Sequence, residues 1–430
     1  MLPIHVLHAR YLECSGACTD TRAIPEGSLF FALKGPRFNA NRFASEALAK
    51  GARYAVVDEP EAVADARCLL VPDALAALQQ LATFHRQRFT LPVIGITGSN
   101  GKTTTKELVQ AVLAADRPTL STQGNLNNHI GVPLTLLRLT DAHRIAIIEM
   151  GANKPGDIAE LCAIASPTHG LITNIGKAHL EGFGGFDGVL RTKTELYASV
   201  QQSAGTLFVN ADDPVLMLRS EELPRRTYGT AAESATRGRL LPGEDFLLRF
   251  AFIGADGRER EVATRLVGAY NLPNALAAVA IGQHFGVPDD RIAEALADYA
   301  PSNNRSQLMD TGRNLLVLDA YNANPSSMQA ALRNLAAAAA KRSKLAILGD
   351  MLELGAGALD EHRAIVALVQ ELGLAARYAG PLFAQCAPHE LAAPDAVALL
   401  GALRAEDISG KLILIKGSRG IGLERVVPAL

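Results

Sequence analysis

Leu91-Pro92-Val93-Ile94-Gly95-Ile96-Thr97-Gly98-Ser99-Asn100-Gly101-Lys102-Thr103-Thr104 decides how this chain is read. Its first half is an apolar run that reads as a buried strand. The residues that follow, Thr105 to Ala115 (TKELVQAVLAA), read as a helix. Between them lies a short glycine loop. Its glycines let backbone N–H groups converge on phosphate oxygens, and the start of the helix adds partial positive charge. Strand, glycine loop, Lys-Thr and helix together form the arrangement that holds a nucleoside triphosphate, so Gly98, Ser99, Asn100, Gly101, Lys102, Thr103 and Thr104 become the predicted phosphate-binding residues. Lys102 would neutralise the outer phosphates, and the Thr103 hydroxyl would ligate Mg²⁺. The loop is a short variant, because Ile96 stands where the usual pattern has a glycine. The other reading is a chance Gly-Lys-Thr in a surface turn; the flanking strand and helix speak against it.

Working outward, 430 residues are too many for one ordinary core and suggest two to four domains. A hydrophobic content of 48% with 20% charged residues is that of a soluble globular chain. A net charge of −2 argues against a general nucleic-acid or membrane-surface binder. The five cysteines lack a convincing zinc spacing and are expected to be free thiols in a reducing cytoplasm. Neither a signal peptide nor a membrane span is expected. Residues 1–90 form a first unit, in which IHVLHARYLE, SLFFAL, YAVVDE and CLLVP read as strands. Residues 91–302 alternate strands and helices, which points to a parallel sheet covered on both faces; FLLRFAFIG and REVATRLVG read as an appended hairpin. PSNNRSQ reads as a linker. Residues 303–430 then begin a second α/β alternation, with one helix running through SSMQAALRNLAAAAAKR.

Polar residues collect where strands end, which is where open α/β sheets place ligands. Glu149 closes the strand RIAIIEM and suits a Mg²⁺ ligand; an exposed edge carboxylate is the alternative. His179, after the strand GLITNIG, is either a site residue or a loop histidine bonded to backbone. Lys193 sits in a helix, and its residues alone do not single it out. Asn271 and Asn274 share a face at a helix start, where they can read a purine edge, although Asn271 also suits an N-cap. The loop TQGNLNNHIGVP, with Thr122, Asn125, Asn127 and Asn128, suits a polyhydroxylated or diphosphate ligand, or is ordinary turn chemistry. Asp319 to Pro325 (DAYNANP) and Lys416 to Gly420 (KGSRG) end strands of the last unit, and the second offers Lys416, Ser418 and Arg419 as an anion site or as a capped helix start. In the first unit Asp20-Thr21-Arg22 and Lys34-Gly35 place charge beside turns.

Several of these segments, in order and over nearly the whole chain, resemble the Mur ligases, ATP-dependent enzymes that build the peptidoglycan stem peptide. They are TGSNGKTTTKE, EMGANKPGDIAEL, TNIGKAHLEGFG, NADDP, YNLPNALAA, LDAYNANPSSM, ILGDMLELG and KGSRG. YNANP and GDMLELG, with the short first unit, resemble the branch that adds D-alanyl-D-alanine. The resemblance implies an α/β protein of three domains: an N-terminal UDP-binding domain, a central parallel-sheet P-loop ATPase domain, and a C-terminal Rossmann-like domain for the dipeptide. It also implies roles. Glu149 and His179 would join Thr103 as metal ligands, and Lys193 would be carboxylated by CO₂ to a carbamate that binds Mg²⁺. Asn271, with Asn274 beside it, would contact adenine; Arg305 and Asp319 would reach the phosphate and ribose of ATP. Tyr321, Asn322, Asn324 and the KGSRG loop would face the dipeptide, while Thr21, Arg22 and Lys34 would lie near the uridine diphosphate. PSNNRSQLM departs from the Gly-Arg pair of many relatives and leaves the role of the arginine open.

The expected reaction turns the carboxylate of UDP-N-acetylmuramoyl-tripeptide into an acyl phosphate with ATP, and the amine of D-alanyl-D-alanine then captures it. The expected setting is a cytoplasmic monomer acting on small molecules, with no nucleic acid and no membrane. The rivals are a relative that adds a single amino acid and a nucleotide-dependent switch.

Overall fold

The computed structural model describes residues 2–177, 180–243, 246–301, 305–339 and 342–430. Three sheets succeed one another along the chain. The first is parallel and runs Ala17–Cys18, Leu29–Phe31, Tyr54–Val57, Cys68–Leu70 across its four strands. A small hairpin, Lys34–Gly35 with Phe38–Asn39, stands beside it. Contrary to the sequence reading, IHVLHARYLE is the helix Ile4–Leu12 rather than a strand. Leu7, His8 and Tyr11 are its buried residues, at the three- and four-residue spacing of a helix face. It packs on the helix Ala74–Arg86, whose N-cap Asp73 accepts a hydrogen bond from the Ala76 amide.

The central sheet has nine strands. Seven are parallel, from Thr119–Ser121 at one edge through Ile145–Glu149, Val93–Thr97, His169–Ile172, Thr206–Asn210 and Arg225–Gly229 to Thr236–Leu240. Leu247–Ile253 and Glu259–Val267 then continue it as the antiparallel hairpin expected from the sequence. The central parallel strands Val93–Thr97, Ile145–Glu149 and His169–Ile172 are mostly apolar and buried because helices cover both faces. Ile94, Ile96 and Phe208 face one core, which includes the helices Lys102–Ala114 and Leu272–His284; Val93, Ile148 and Ile172 face the other. That second core continues into the first unit through Leu7, Tyr11, Leu78 and Leu81. Polar contacts reinforce this junction: His85 bridges His8 and the Leu139 carbonyl at 3.0 Å each, and the Tyr11 hydroxyl donates to the Leu137 carbonyl.

In the third sheet the strand order is Gln307–Asp310, Leu315–Asp319, Lys411–Lys416, Ser343–Gly349, Ala375–Ala379, Ala392–Ala393, antiparallel only at the first. The helix expected through the alanine run spans Pro325–Ala337 and ends there, with Ala338 extended (φ −58°, ψ 125°). The expected linker already belongs to the fold at its far end, where Ser306 is buried and Gln307 opens the edge strand. Among the described residues no helix is long and apolar enough to cross a membrane, and all five cysteines are free.

Candidate functional site

The strand Val93–Thr97 lies between Ile145–Glu149 and His169–Ile172, although the chain visits the edge strand Thr119–Ser121 before either. The connections from Val93–Thr97 and from its neighbour Ile145–Glu149 therefore run in opposite directions, and a crevice opens between their C-terminal ends. The glycine loop fills the start of that crevice. Gly98 has φ +140°, and a Cβ there would lie 2.0 Å from the Thr173 hydroxyl. Gly101, at φ +77°, precedes the helix Lys102–Ala114 and leaves room for the Asn274 amide. Neither position admits a side chain, so the loop stays bare and close to the neighbouring strand end.

That strand end fixes the loop. The Asn100 amide donates to Asn174 Oδ1 at 3.1 Å, and the Asn100 carbonyl accepts from Thr173 Oγ1 at 2.6 Å and Asn174 Nδ2 at 3.0 Å. Ser99 Oγ donates to the Gly176 carbonyl at 3.1 Å. Lys102 folds back and donates to the carbonyls of Gly98 (2.7 Å) and Ser99 (3.2 Å). Burial lowers its amine to about 8, Arg305 adds to the effect, and Glu149 opposes it. Thr103 and Glu149 are in direct contact: Thr103 Oγ1 donates to Glu149 Oε2 at 2.8 Å, and Asn127 Nδ2 donates to Glu149 Oε1 at 2.8 Å. Glu149 is 1% exposed, so the exposed-edge reading fails. A buried carboxylate, a hydroxyl and an amide oxygen form a hard-oxygen donor set that fits Mg²⁺. Among the described residues no three His, Cys, Asp or Glu side chains converge, so such an ion would draw its further ligands from elsewhere. His179 lies outside the described residues.

Lys193 is on the helix Phe186–Gln202, 2% exposed, with its amine 5.5 Å from the centre of the Phe183 ring. It does not line the cleft. Burial, then the charge of Lys102, lowers its amine to about 7 against the pull of Asp157 and Glu195. A buried lysine whose amine is held well below its ordinary range is more readily neutral and so nucleophilic, a property that its place in the sequence did not disclose.

Asn271 is buried and its side chain makes no cap; Nδ2 donates to the Val267 carbonyl and Oδ1 accepts from Asn274, each at 2.8 Å. Asn274 Oδ1 in turn accepts from Thr105 at 3.0 Å, tying this helix start to the phosphate-loop helix. Both asparagines line the cleft.

The opposite wall comes from the third sheet. Asp319 and Lys416 end neighbouring strands in register and form an ion pair of 2.6 Å; Lys416 Nζ also donates to the Asn322 carbonyl at 3.2 Å. The Arg305 guanidinium lies 3.7 Å above the Tyr321 ring centre, and that of Arg419 lies 5.4 Å from it. Asn324 caps the helix Pro325–Ala337 and reaches the phosphate loop. One cleft of about 860 Å³ is lined by the loop residues Ser99 to Thr104, by Asn125, Asn127, Asn128 and Glu149, and by Arg305, Asp319, Tyr321, Asn322, Asn324 and Lys416. Thr122 stands just behind it and accepts a hydrogen bond from the Glu149 amide at 3.0 Å. Ser418 is buried, where it accepts from the Leu352 amide at 3.0 Å and supports the Ala323 carbonyl at 3.4 Å.

Thr21, Arg22 and Lys34 are not brought to this cleft. Arg22 pairs with Asp20 at 2.6 Å, Lys34 with Asp58 at 3.0 Å, and the Thr21 carbonyl takes the Lys50 ammonium. Sequence reasoning passed over Thr173 and Asn174, which hold the loop, and Tyr270, His129, Lys154, Asp157 and Glu160, which line the cleft. The signal was present, since most of these stand at the ends of strands or helix starts within motifs already singled out.

Comparison with known proteins gives the same picture. Residues 96–282 match the Mur ligase middle domain, and residues 304–419 match the Mur ligase, glutamate ligase domain. The chain is 34% identical to the UDP-N-acetylmuramoyl-tripeptide--D-alanyl-D-alanine ligase of Bacillus subtilis, over 96% of this chain and 93% of that one. It is 36% identical to the Escherichia coli protein of the same name, over 96% and 92%. Among solved structures, MurF from Acinetobacter baumannii superposes with a TM-score of 0.85 at 32% identity, covering 96% of this chain and 92% of that one. MurF ligase from Thermotoga maritima in complex with ADP superposes at 0.84 with 28% identity, covering 97% of each.

Proposed function

The chain belongs to the Mur ligase family, and from that premise we infer that it joins D-alanyl-D-alanine to UDP-N-acetylmuramoyl-tripeptide with ATP, giving the pentapeptide precursor of peptidoglycan, ADP and phosphate. The observation that carries this reading is a shared cleft in which the glycine loop faces the strand ends of a second α/β sheet. Such a cleft lets a nucleotide held on one sheet and an amine held on the other meet at one carboxylate.

In the first step the tripeptide carboxylate attacks the γ-phosphorus of ATP, and ADP leaves. Lys102 moves from the carbonyls of Gly98 and Ser99 to the outer phosphate oxygens, where its charge meets the charge that develops in transfer. The backbone amides at the start of the helix Lys102–Ala114 hold the inner phosphates. Arg305 serves the phosphates and Asp319 the ribose from the third domain; Asn271 and Asn274 hold the adenine. Mg²⁺, when bound, screens the phosphate oxygens; Thr103 and Glu149 would hold it, with His179 and carboxylated Lys193. Carboxylation suits the buried amine of Lys193, because the neutral nitrogen forms the N–C bond to CO₂ and gives up a proton. In the second step the dipeptide amine attacks the acyl phosphate carbonyl and phosphate leaves. The loop Thr122 to Pro133 is the place for the acceptor, with Asn125, Asn127 and Asn128 toward its polar groups. Tyr321, Asn322, Asn324, Lys416, Ser418 and Arg419 form the wall that meets the dipeptide. Closing the cleft excludes water that would hydrolyse the acyl phosphate.

Residues 1–90 serve as the domain for the uridine diphosphate, through Thr21, Arg22 and Lys34; residues 91–302 serve ATP, and residues 303–430 the dipeptide. A nucleotide-linked acceptor and ATP place the work in the cytoplasm, and a cleft built within one chain suits a monomer. The direct test is the mass of the product formed from UDP-N-acetylmuramoyl-tripeptide, ATP and magnesium, with D-alanyl-D-alanine or with single amino acids. Addition of two alanyl residues only with the dipeptide is the expected result; no new peptide bond, or bond formation with single amino acids, overturns it.

A further inference from the structure

Two walls of the cleft belong to different sheets, and a direct hydrogen bond joins them. Asn324 Nδ2 donates to Asn100 Oδ1 at 2.7 Å, linking residues 224 positions apart. The direction of this bond is set by the local fold. Asn324 is the N-cap of the helix Pro325–Ala337, and its Oδ1 accepts from the Ser327 amide at 3.0 Å. The oxygen is engaged in capping, so the NH₂ end is the one that points across the cleft. Asn324 is 4% exposed, which removes water as a competing partner.

Both ends of the bond are held rigidly. On the phosphate-loop side, the backbone of Asn100 is fixed in both directions by Thr173 and Asn174. On the other side, the segment Asp319 to Asn324 is held from behind. Lys416 Nζ takes the Asp319 carboxylate and the Asn322 carbonyl, and Ser418 Oγ takes the Ala323 carbonyl. Lys416 is 2% exposed and has its donors directed at this segment. The two units also meet where Lys177 pairs with Glu361 at 2.8 Å, an ion pair whose exposed lysine leaves it weak.

We propose that Asn324 is a positioning residue for the ligation. Its side chain registers the third domain against the phosphate loop through Asn100, and Lys416 and Ser418 keep the segment that carries it in place. The inference rests on the ligase reading and deepens it. It accords with the bonds that Lys416 and Ser418 make to the segment carrying Asn324, at the Asp319 carboxylate and the Asn322 and Ala323 carbonyls. Nothing passes through the bond chemically. It sets the distance between the activated carboxyl on one sheet and the amine on the other, and a small misplacement at that distance is costly in rate.

Asn324→Ser isolates the bond. Serine caps a helix about as well as asparagine, yet its hydroxyl is too short to reach Asn100. The variant should unfold at the wild-type midpoint and bind ADP within about threefold of wild type, while kcat for peptide-bond formation falls about tenfold, the range that misorientation produces. In an Asn100→Ala background the same Asn324→Ser change should alter kcat less than about twofold, because the partner is already gone. Equal losses in both backgrounds, or a wild-type kcat in the single variant, overturn the proposal. A drop in the unfolding midpoint that parallels the loss of rate assigns Asn324 to capping alone and also overturns it. Wild-type enzyme that forms no peptide bond fails the ligase reading instead, so the two failures are distinguishable.

Discussion

The two walls of the cleft are built in opposite ways. On the phosphate-loop wall, polar groups are braced by the neighbouring strands of the same sheet. Thr103, Glu149 and Asn127 form a chain, and Thr173 with Asn174 grips the backbone of Asn100. On the third-sheet wall, the charged groups engage one another: Asp319 is taken by Lys416, and Arg305 and Arg419 lie over Tyr321. Most of the first wall is held in place by its own sheet, and Lys102 is the group there that must leave its carbonyls for a ligand. The second must exchange its internal partners for ligand atoms, which makes it the wall that responds to binding. Backbone amides at a helix start can wait at a solvent-filled crevice, whereas a buried ammonium must keep acceptors, as Lys102 and Lys416 both do.

This contrast can be broken at several points. The largest effect should come from the preorganised wall. Lys102→Ala should lower ADP formation by more than about 100-fold, the scale for removing one electrostatic stabiliser, while the protein still unfolds in one cooperative transition. Near-normal turnover would remove the phosphate-loop role. Lys193→Ala should be comparably inactive and regain part of its rate with formate or acetate. With ¹³C-bicarbonate the wild type should show a carbamate carbon signal that Lys193→Ala lacks. The signal should grow as pH rises through about 7, because the neutral amine is the reactive form. The same shift predicts a stability slope. The lysine is held below its ordinary 10.5, so the folded state carries the full penalty below about pH 7 and loses it as pH rises toward 10.5. Without bicarbonate, Lys193→Met should flatten that rise in urea titrations; an unchanged slope would sink the assignment.

The responsive wall should show itself in stability as much as in rate. Asp319→Ala strands the buried Lys416 cation and should cost about 2–3 kcal/mol in denaturant unfolding, somewhat less than a fully buried broken pair because Asp319 is partly open. KM for ATP should rise about tenfold, the weight of one charge-assisted hydrogen bond. A rise in KM without loss of stability would show that the pair with Lys416 is incidental. The smallest effect belongs to the first unit. Arg22 is exposed and paired with Asp20, so Arg22→Ala should leave the unfolding midpoint where it is and raise KM only for the UDP-linked acceptor. An equal rise for ATP would place Arg22 outside that role.

Legibility followed the same division. The phosphate loop was readable because its chemistry is local: two glycines, a lysine and a threonine between a strand and a helix. The hairpin Leu247–Ile253 with Glu259–Val267 was readable from its alternating pattern. The helix Ile4–Leu12 was misread because a short run with apolar residues at both two- and three-residue spacings fits either period. The end of the helix at Ala337 was missed because alanine favours a helix and only the tertiary fold turns the chain there. Lys416 was read as part of an anion site because a lysine among glycines at a strand end gives that signal, whereas its ion pair with Asp319 is tertiary and leaves no local mark.

By itself the sequence determined the order of the units, the phosphate loop and the set of polar residues at strand ends, since each is written in neighbouring positions and their spacing. The tertiary structure decided which of those residues share a cleft and which satisfy one another. Asp319 meets Lys416, and Asn100 meets Asn324, only because two sheets end at the same place. Burial did the rest. It lowered the amine of Lys193 toward neutrality, and desolvation is a property of what surrounds a side chain, which no local stretch of sequence carries.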